Sequence, residues 1–284
     1  MKRVDLHVHS TFSDGTDTPT QLVRLAKETG LYAMALTDHD TIDGIDEAIK
    51  AGSEYGIEVV PGVELSTFYI NKEIHIVGLY IDHTDESLKK ELSASRNVRS
   101  ERNKQICEKF NQLGYDISYD EMLTRYKDAV ITRAHFADIL VAKKIVGSRN
   151  EAFDRFLNPG KPCYVPRKKM DPKDAIKMIK NAGGVPILAH PVLYHLGNDA
   201  MNTLIKYLCE SGIAGLEAIY STYTQGDELK MRRIAKDNGL IISGGSDYHG
   251  KNKPSISLGT GRGHLCIPYE VLDEIKKHAK RFCH

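Results

Sequence analysis

The chain is poor in cysteine and has no long apolar run. Its five cysteines (Cys107, Cys163, Cys209, Cys266 and Cys283) form no Cys-x-x-Cys pair. Their odd number and wide spacing argue against a disulfide framework and for free thiols in a reducing compartment. No apolar stretch approaches the roughly 20 residues that a spanning helix needs, so no membrane partner is expected. The first residues enter a strand at once, without the apolar region of a signal peptide, and a cytoplasmic location is expected. A large net charge is also missing, since 39 Lys and Arg offset 38 Asp and Glu to leave +1. Such a chain has no whole-molecule field for a nucleic acid or an anionic bilayer. No stable DNA partner is expected, and any anion must be held by local groups. No internal repeat or low-complexity segment is present, and nothing speaks to the oligomeric state.

What the chain does have is length for one large α/β domain, or for one domain with an insertion, and 41% hydrophobic residues from which to build a core. It opens on Val4-Asp5-Leu6-His7-Val8-His9-Ser10. Apolar Val4, Leu6 and Val8 alternate with polar residues, which is the pattern of a strand. Side chains alternate between faces along a strand, so Asp5, His7 and His9 project together. Two imidazoles and a carboxylate on one face make half of a metal site.

Ser13-Asp14-Gly15 then signals a turn, and Thr18-Pro19 caps a helix running to about Thr29. Strands are expected over Tyr32–Thr37, Ile57–Glu64 and Ile74–Tyr80, with a helix over Ile45–Tyr55. This rhythm indicates a mostly parallel sheet or a barrel. It stops at about Asp85. From there to Pro159 only helical patterns occur, over Glu86–Leu113, Tyr119–Arg125, Arg133–Lys143 and Asn150–Leu157. The expected layout is a barrel formed by residues 1–84 and 160–284, with an all-helical insertion at 85–159. The α/β rhythm resumes with strands Val185–Ala189, Gly215–Tyr220 and Leu240–Gly244. Helices Pro172–Asn181, Ala200–Ser211, Gly226–Asn238 and Tyr269–Lys280 accompany them.

Polar residues recur at the strand ends. His7 and His9 end the first strand, His39 the second, Glu64 the third and His190 the fifth, while Asp247 and His249 end the seventh. His75 opens or lies within the fourth, and Asp14 sits on the first loop. In a parallel barrel these ends meet on one rim, where sites are built. Neutral imidazole and carboxylate suit Zn, Mn or Fe, and no thiolate lies at these positions. Asp247-x-His249 repeats the spacing of His7-x-His9, and Glu64 has two oxygens with which to bridge two cations. Asp5, Asp38 and Asp40 read as residues that orient a ligating histidine. His83, His264, His278 and His284 read as ordinary surface or core residues. His195, on the loop past His190, reads as a solvated loop residue or a substrate contact. Ser221, Thr222 and Tyr223 read as substrate contacts or plain loop polarity, and Gly259-Thr260-Gly261 as a turn.

The succession Asp5-x-His7-x-His9, Thr37-Asp38-His39-Asp40, Gly62-Val63-Glu64, Ala189-His190-Pro191 and Ser246-Asp247-x-His249 resembles the motifs of the PHP (polymerase and histidinol phosphatase) family. The resemblance implies a distorted seven-stranded (β/α) barrel and a site for three divalent metal ions, Mn2+ foremost, with Fe2+ or Zn2+ as alternatives. It implies that His7, His9, Glu64 and Asp247 hold one ion, Glu64, His75 and His190 a second, and Asp14, His39 and His249 a third. Within the family, the insertion and Thr132-Arg133-Ala134-His135 resemble the 3′,5′-nucleotide bisphosphate phosphatases, which are related to 5′-to-3′ RNA-trimming exonucleases of the RNase AM type.

Arg96, Arg99 and Arg102 recur every three residues on a helix, and Arg133 and His135 open another. Guanidinium forks and helix starts both bind phosphate, although a solvated charged face explains the first series equally well. The expected activity is phosphate-ester hydrolysis on a nucleotide bisphosphate or an RNA 5′ end. Glu64 would bridge cations, Arg133 would neutralise phosphoryl charge, and His195, His135 or a metal-bound water would be the leaving-group acid. Three alternatives stay open: a phosphatase for histidinol phosphate or another small monoester, metal-dependent amide hydrolysis, and a non-catalytic metal-binding accessory module.

Overall fold

The computed structural model describes residues 2–70, 72–127, 129–166 and 170–279. Lys280, the expected end of the last helix, lies outside the described residues. The strands are β1 (Arg3–Val8), β2 (Leu31–Leu36), β3 (Glu58–Tyr69), β4 (Lys72–Leu79), β5 (Val185–Leu188), β6 (Gly215–Tyr220), β7 (Ile241–Gly245) and β8 (Ile267–Pro268). The helices are α1 (Pro19–Glu28), α2 (Ile45–Tyr55), α3 (Glu86–Gln112), α4 (Tyr119–Arg125), α5 (Arg133–Ala142), α6 (Arg149–Ala152), α7 (Pro172–Asn181), α8 (Asn198–Glu210), α9 (Gln225–Asp237) and α10 (Tyr269–Ala279). A π-helical turn, Phe153–Leu157, continues α6. No described helix is long and apolar enough to cross a membrane.

Seven strands follow one another round a single sheet in chain order, and the short β8 adds beside β1. The sheet all but closes on itself. The Asp247 N–H donates to the His7 carbonyl at 2.9 Å and the His9 N–H to the Tyr248 carbonyl at 3.0 Å, so β1 bonds to the segment that leaves β7. Gly245 permits this approach, since a Cβ there would lie 2.2 Å from the His7 Cβ. The fold is the expected distorted (β/α) barrel with a run of helices inserted after β4. The additional strand, β8, is two residues long and pairs antiparallel with Arg3 and Val4. Too short for any periodicity, it is formed by its partner rather than by its own pattern.

One departure from the parallel expectation bears on the site. β4 runs antiparallel to both β3 and β5, while β1, β2 and β3 run parallel to one another, as do β5, β6 and β7. The cause is local. Tyr69 pairs with Lys72 across a tight hairpin, and so short a link has no room for the crossover that a parallel neighbour requires. The hairpin also carries β3 on to Tyr69, past the expected end at Glu64.

Val4 and Leu6 of β1 join a fully buried cluster with Val60, Val77, Ile187, Ile219 and, from α10, Leu272 and Ile275. Caps set several helix starts. Thr18 and Gln21 form a reciprocal capping box at α1 with Pro19 in its first turn, and Asp171 caps α7 ahead of Pro172.

The chain separates into two compact units, Met1–Lys90 with Lys169–His284, and Glu91–Lys168. The second is helical and has a core of its own, built on Phe110, Phe136, Ile139, Leu140, Phe156 and Leu157. Its bounds fall a few residues later than the expected joins.

Candidate metal centre

Glu64 stands at the middle of the site. Its side chain is buried, and its two oxygens face different sets of rings. Oε1 lies 2.8 Å from His75 Nδ1 and 3.0 Å from His190 Nε2. Oε2 lies 3.1 Å from His39 Nδ1, 3.2 Å from His9 Nε2 and 3.3 Å from His7 Nε2. The antiparallel turn of β4 explains how His75 reaches this place. Being near the start of a strand that runs the other way, it sits on the rim where the parallel strands end. His39 follows β2 and meets Glu64 through an isolated bridge.

The remaining carboxylates flank this centre. Asp247 Oδ1 lies 3.3 Å from His9 Nε2, and Asp14 Oδ1 lies 3.2 Å from His249 Nε2. Four overlapping groups bring ligand atoms within 4.8 Å of one another. They are His9, Asp14, His39 and His249; His7, Glu64 and His190; His7, His9 and Asp247; and His39, Glu64 and His75. All nine residues singled out from the sequence fall within them. The grouping departs from the expected partition in three places: His7 joins Glu64 and His190, His39 joins Glu64 and His75, and His9 joins Asp14, His39 and His249. Asp247 and His249 do not repeat the strand geometry of His7 and His9. β7 ends at Gly245, Asp247 takes a left-handed conformation (φ 55), and His249 Nδ1 turns back to the Asp247 carbonyl at 2.9 Å. His190 (φ 29) and Asp40 (φ 53) are also left-handed. Such strained backbone gathers at sites whose surroundings hold it in place.

The donor set fits divalent cations. His7 Nδ1 lies 2.8 Å from Glu217 Oε1 and His249 Nδ1 faces a carbonyl, so both Nδ1 atoms carry the proton. In the neutral rings each Nε2 is then a bare lone pair. His7 Nε2 faces His9 Nε2 at 3.1 Å and carboxylate oxygens beyond it. Lone pairs and carboxylates packed together out of water form a cradle that a cation balances.

The protonation tendencies show the same tension. Burial raises the Glu64 carboxyl, but His39, His75 and His7 carry it well below the usual carboxylate range. Burial is likewise outweighed at Asp14, by His249 and His39, and at Asp247, by Lys253 and His249; both lie well below their ordinary value. His39 is pushed down to about 3 by burial, against the pull of Glu64, while His75 rises to about 10 because Glu64 outweighs its burial.

The aspartates near the ligands accept from backbone N–H groups and serine hydroxyls. Asp38 accepts from the Ser10 N–H (2.7 Å), Ser10 Oγ (2.6 Å) and Ser13 Oγ (2.5 Å), fixing the loop that carries Asp14. Asp5 accepts from the N–H groups of Ser246 and Gly259, both at 2.8 Å. Asp40 takes the Ser66 N–H at 3.1 Å and Ser66 Oγ at 3.2 Å. Asp38 also reaches a ligating ring through Ser13, whose Oγ lies 3.4 Å from His9 Nδ1, as expected of a residue that orients a histidine. Ser221 donates to the Ser246 carbonyl, and the Tyr223 hydroxyl accepts the Val192 N–H, so both tie loops together. His195 is exposed, follows the short 3-10 turn Pro191–Tyr194 and belongs to none of the four groups.

Two buried groups were missed in the sequence. Glu217 of β6 touches His7, and Tyr220 donates to Asp247 Oδ2 at 2.5 Å, beside Lys253 Nζ, also at 2.5 Å. A glutamate at the third position of a six-residue strand was the available signal.

The helical unit carries the arginines singled out from the sequence. Its Arg96 and Arg99, with Ser100, Asn103 and Tyr119, line a cavity of about 270 Å³. Arg102 is buried. Arg133 is half-buried at the start of α5, with its guanidinium 5.9 Å from the Tyr164 ring centroid. His135 is buried, and its Nδ1 accepts the Thr132 N–H at 2.9 Å while Thr132 caps the same helix. That histidine therefore has a structural use as one half of a capping box.

Known proteins share this layout. The PHP domain matches residues 5–158. A Haemophilus influenzae protein named 5′-3′ exoribonuclease is 39% identical over 248 residues, covering 87% of this chain and 90% of its own. A Chromobacterium violaceum protein named 3′,5′-nucleoside bisphosphate phosphatase is 34% identical, covering 91% of each. A Bifidobacterium adolescentis structure, provisionally described as a metal-dependent phosphoesterase, superposes with a TM-score of 0.85 at 30% identity, covering 98% of this chain and 96% of its own. The chain belongs to the PHP-domain family.

Proposed function

We propose that this protein, a metal-dependent phosphoesterase, hydrolyses the 3′-phosphate of nucleoside 3′,5′-bisphosphates and trims short RNA from its 5′ end. We place it in the cytoplasm and assign it three divalent cations, Mn2+ foremost, with Fe2+ or Zn2+ as alternatives. The observation that carries the reading is Glu64, whose two oxygens address two separate sets of imidazoles on one buried rim. A carboxylate so placed is suited to join two cations, the arrangement that serves in-line displacement at phosphorus. The relatives named above, one for a bisphosphate and one for RNA, supply the substrate class.

When bound, the cations would supply a water nucleophile at neutral pH and offset charge on the phosphoryl oxygens. His7, His9, Glu64 and Asp247, then Glu64, His75 and His190, then Asp14, His39 and His249 are the proposed ligand sets. Asp38, through Ser10 and Ser13, holds the Asp14 loop in place. His195, exposed and free of the capping duty that occupies His135, is the proposed leaving-group acid. Recognition of the second phosphate is assigned to the helical insertion, with Arg133 first and Arg96, Arg99 and Arg102 behind it, because planar guanidinium groups match phosphate oxygens in pairs.

A substrate panel tests this. Phosphate release is measured from a 3′,5′-bisphosphate and from histidinol phosphate, nucleotide release from a 5′-phosphorylated oligoribonucleotide, and ring opening of a cyclic phosphodiester, each before and after chelation and Mn2+ reloading. The expected result is a kcat/KM for the bisphosphate about tenfold or more above that for histidinol phosphate, a difference of about 1.4 kcal/mol in transition-state binding. The reverse order overturns the substrate assignment. No turnover of any phosphoester by the loaded protein overturns the enzymatic reading in favour of a binding module.

A further inference from the structure

Glu217 is a carboxylate inside the barrel that none of the proposed ligand sets uses. It lies on β6, where Leu216 and Ala218 face the opposite side, and only 1% of its surface is exposed. Leaving a charged side chain in such a place is costly unless every oxygen is occupied. Both are. Oε1 lies 2.8 Å from His7 Nδ1, and Oε2 accepts the His190 backbone N–H at 2.7 Å. His7 lies on β1 and His190 just past β5; they are assigned to different proposed ligand sets, and His7 groups both with Glu64 and His190 and with His9 and Asp247. His190 also holds a backbone conformation, φ 29, that few residues adopt unaided.

We propose that Glu217 is a positioning residue that couples two cation sites, fixing the His7 ring through Oε1 and the His190 backbone through Oε2. The chemistry follows from the partners. A carboxylate only accepts, so His7 must keep its proton on Nδ1 and turn a bare Nε2 towards Glu64 and Asp247. A carboxylate behind a ligating imidazole also makes it a stronger donor. The second oxygen acts on geometry alone. By holding the His190 N–H, it keeps the strained residue turned so that Nε2 lies 3.0 Å from Glu64 Oε1. Glutamine cannot replace both functions, because its amide offers one acceptor oxygen and a nitrogen that would meet the N–H of one partner with its own. The inference rests on reading the Glu64 cluster as a cation centre.

The test compares the full-length wild type with Glu217→Gln and Asp14→Asn. Each is stripped by chelation, dialysed against Mn2+, and assayed for bound ion per chain and for affinity by titration calorimetry. Circular dichroism of the stripped proteins reports the fold. The expected outcome for Glu217→Gln is a loss of about 10–100-fold in affinity at two ions at once, whereas Asp14→Asn loses one. Glu217→Gln that binds like the wild type, or that loses a single ion as Asp14→Asn does, overturns the coupling. A wild type that binds no divalent ion overturns instead the reading of the cluster on which the inference depends. A second measurement needs no variant. Nitrogen-15 spectra of the wild-type histidines with diamagnetic Zn2+ report the His7 tautomer, which is expected to be protonated at Nδ1. A proton on His7 Nε2 overturns the proposal, whether or not Glu217→Gln folds.

Discussion

The two compact units bury polarity in opposite ways. In the barrel unit, nine imidazole and carboxylate residues converge on one buried rim, and most of their closest neighbours are one another. In the helical unit the core is aromatic and aliphatic, its buried Arg99 and Arg102 come from one helix, and Arg149 and Asp138 form a two-pronged salt bridge. Solitary buried charge is normally paired off for stability. A crowd of acceptors facing inward opposes stability and is kept where a cation will fill it. The contrast puts the candidate metal site in the barrel unit; recognition by the helices is the proposal that Arg133 carries.

The sharpest break of that contrast is Glu64→Gln. It keeps the shape of the side chain but removes the charge that faces five histidines. Phosphate release is expected to fall by at least about 10²–10³-fold, the scale on which a single group that stabilises transition-state charge acts. Bound Mn2+ measured on the same sample should fall too. Retained activity with full metal content would remove Glu64 from its central role.

A change of comparable energy but different kind is expected from Phe110→Ala. Phe110 is fully buried and stacks near Phe136 and Phe156. Truncation of such a ring costs about 3–5 kcal/mol. Urea unfolding followed by circular dichroism should show the helical signal lost early, while Mn2+ binding survives to higher denaturant. One coincident transition for both signals would show that the units unfold together.

Arg133→Ala addresses recognition. A charge-assisted hydrogen bond is worth about 1.5–3 kcal/mol, so KM for a 3′,5′-bisphosphate should rise about 10–100-fold. A simple aryl phosphate, which has no second phosphate, should be hydrolysed as before. An equal loss on both substrates would place Arg133 in the hydrolytic step instead.

The smallest effect is expected at Asp138→Asn. Its pair with Arg149 is about a quarter exposed, and pairs near the surface are worth about 0–1 kcal/mol. Thermal unfolding should shift by no more than a few degrees, with kinetics unchanged. A collapse in activity would show that the helical unit uses charge for more than scaffolding.

Much of the site was legible because strand alternation and strand ends are local facts. His7 and His9 share a face by the two-residue period, and His39, His190, Asp247 and His249 each stand where an apolar run stops. The helical stretch was legible for the same reason: its starts carry caps, and Thr132 and Ser118 accept bonds from the first turns of α5 and α4. His75 was less legible. Its position at the front of a strand makes sense only once β4 reverses, and the reversal depends on a hairpin whose pairing is a property of two strands. His135 was read for its chemistry alone, although a histidine three residues after a threonine also closes a capping box.

The amino-acid order by itself determined which residues could be ligands, that the strands would bring their ends to a rim, and where the helical segment would interrupt them. These rest on side-chain chemistry and on periods of two and 3.6 residues, which operate over a few positions. Only the tertiary structure decided which oxygen of Glu64 faces which ring, that Asp38 reaches His9 through Ser13, and that Glu217 lies 210 residues along the chain from the His7 ring it touches. Closure of the sheet decides such contacts. It brings strands of any separation to hydrogen-bonding distance, and no pattern within one strand records what the seventh will place against the first.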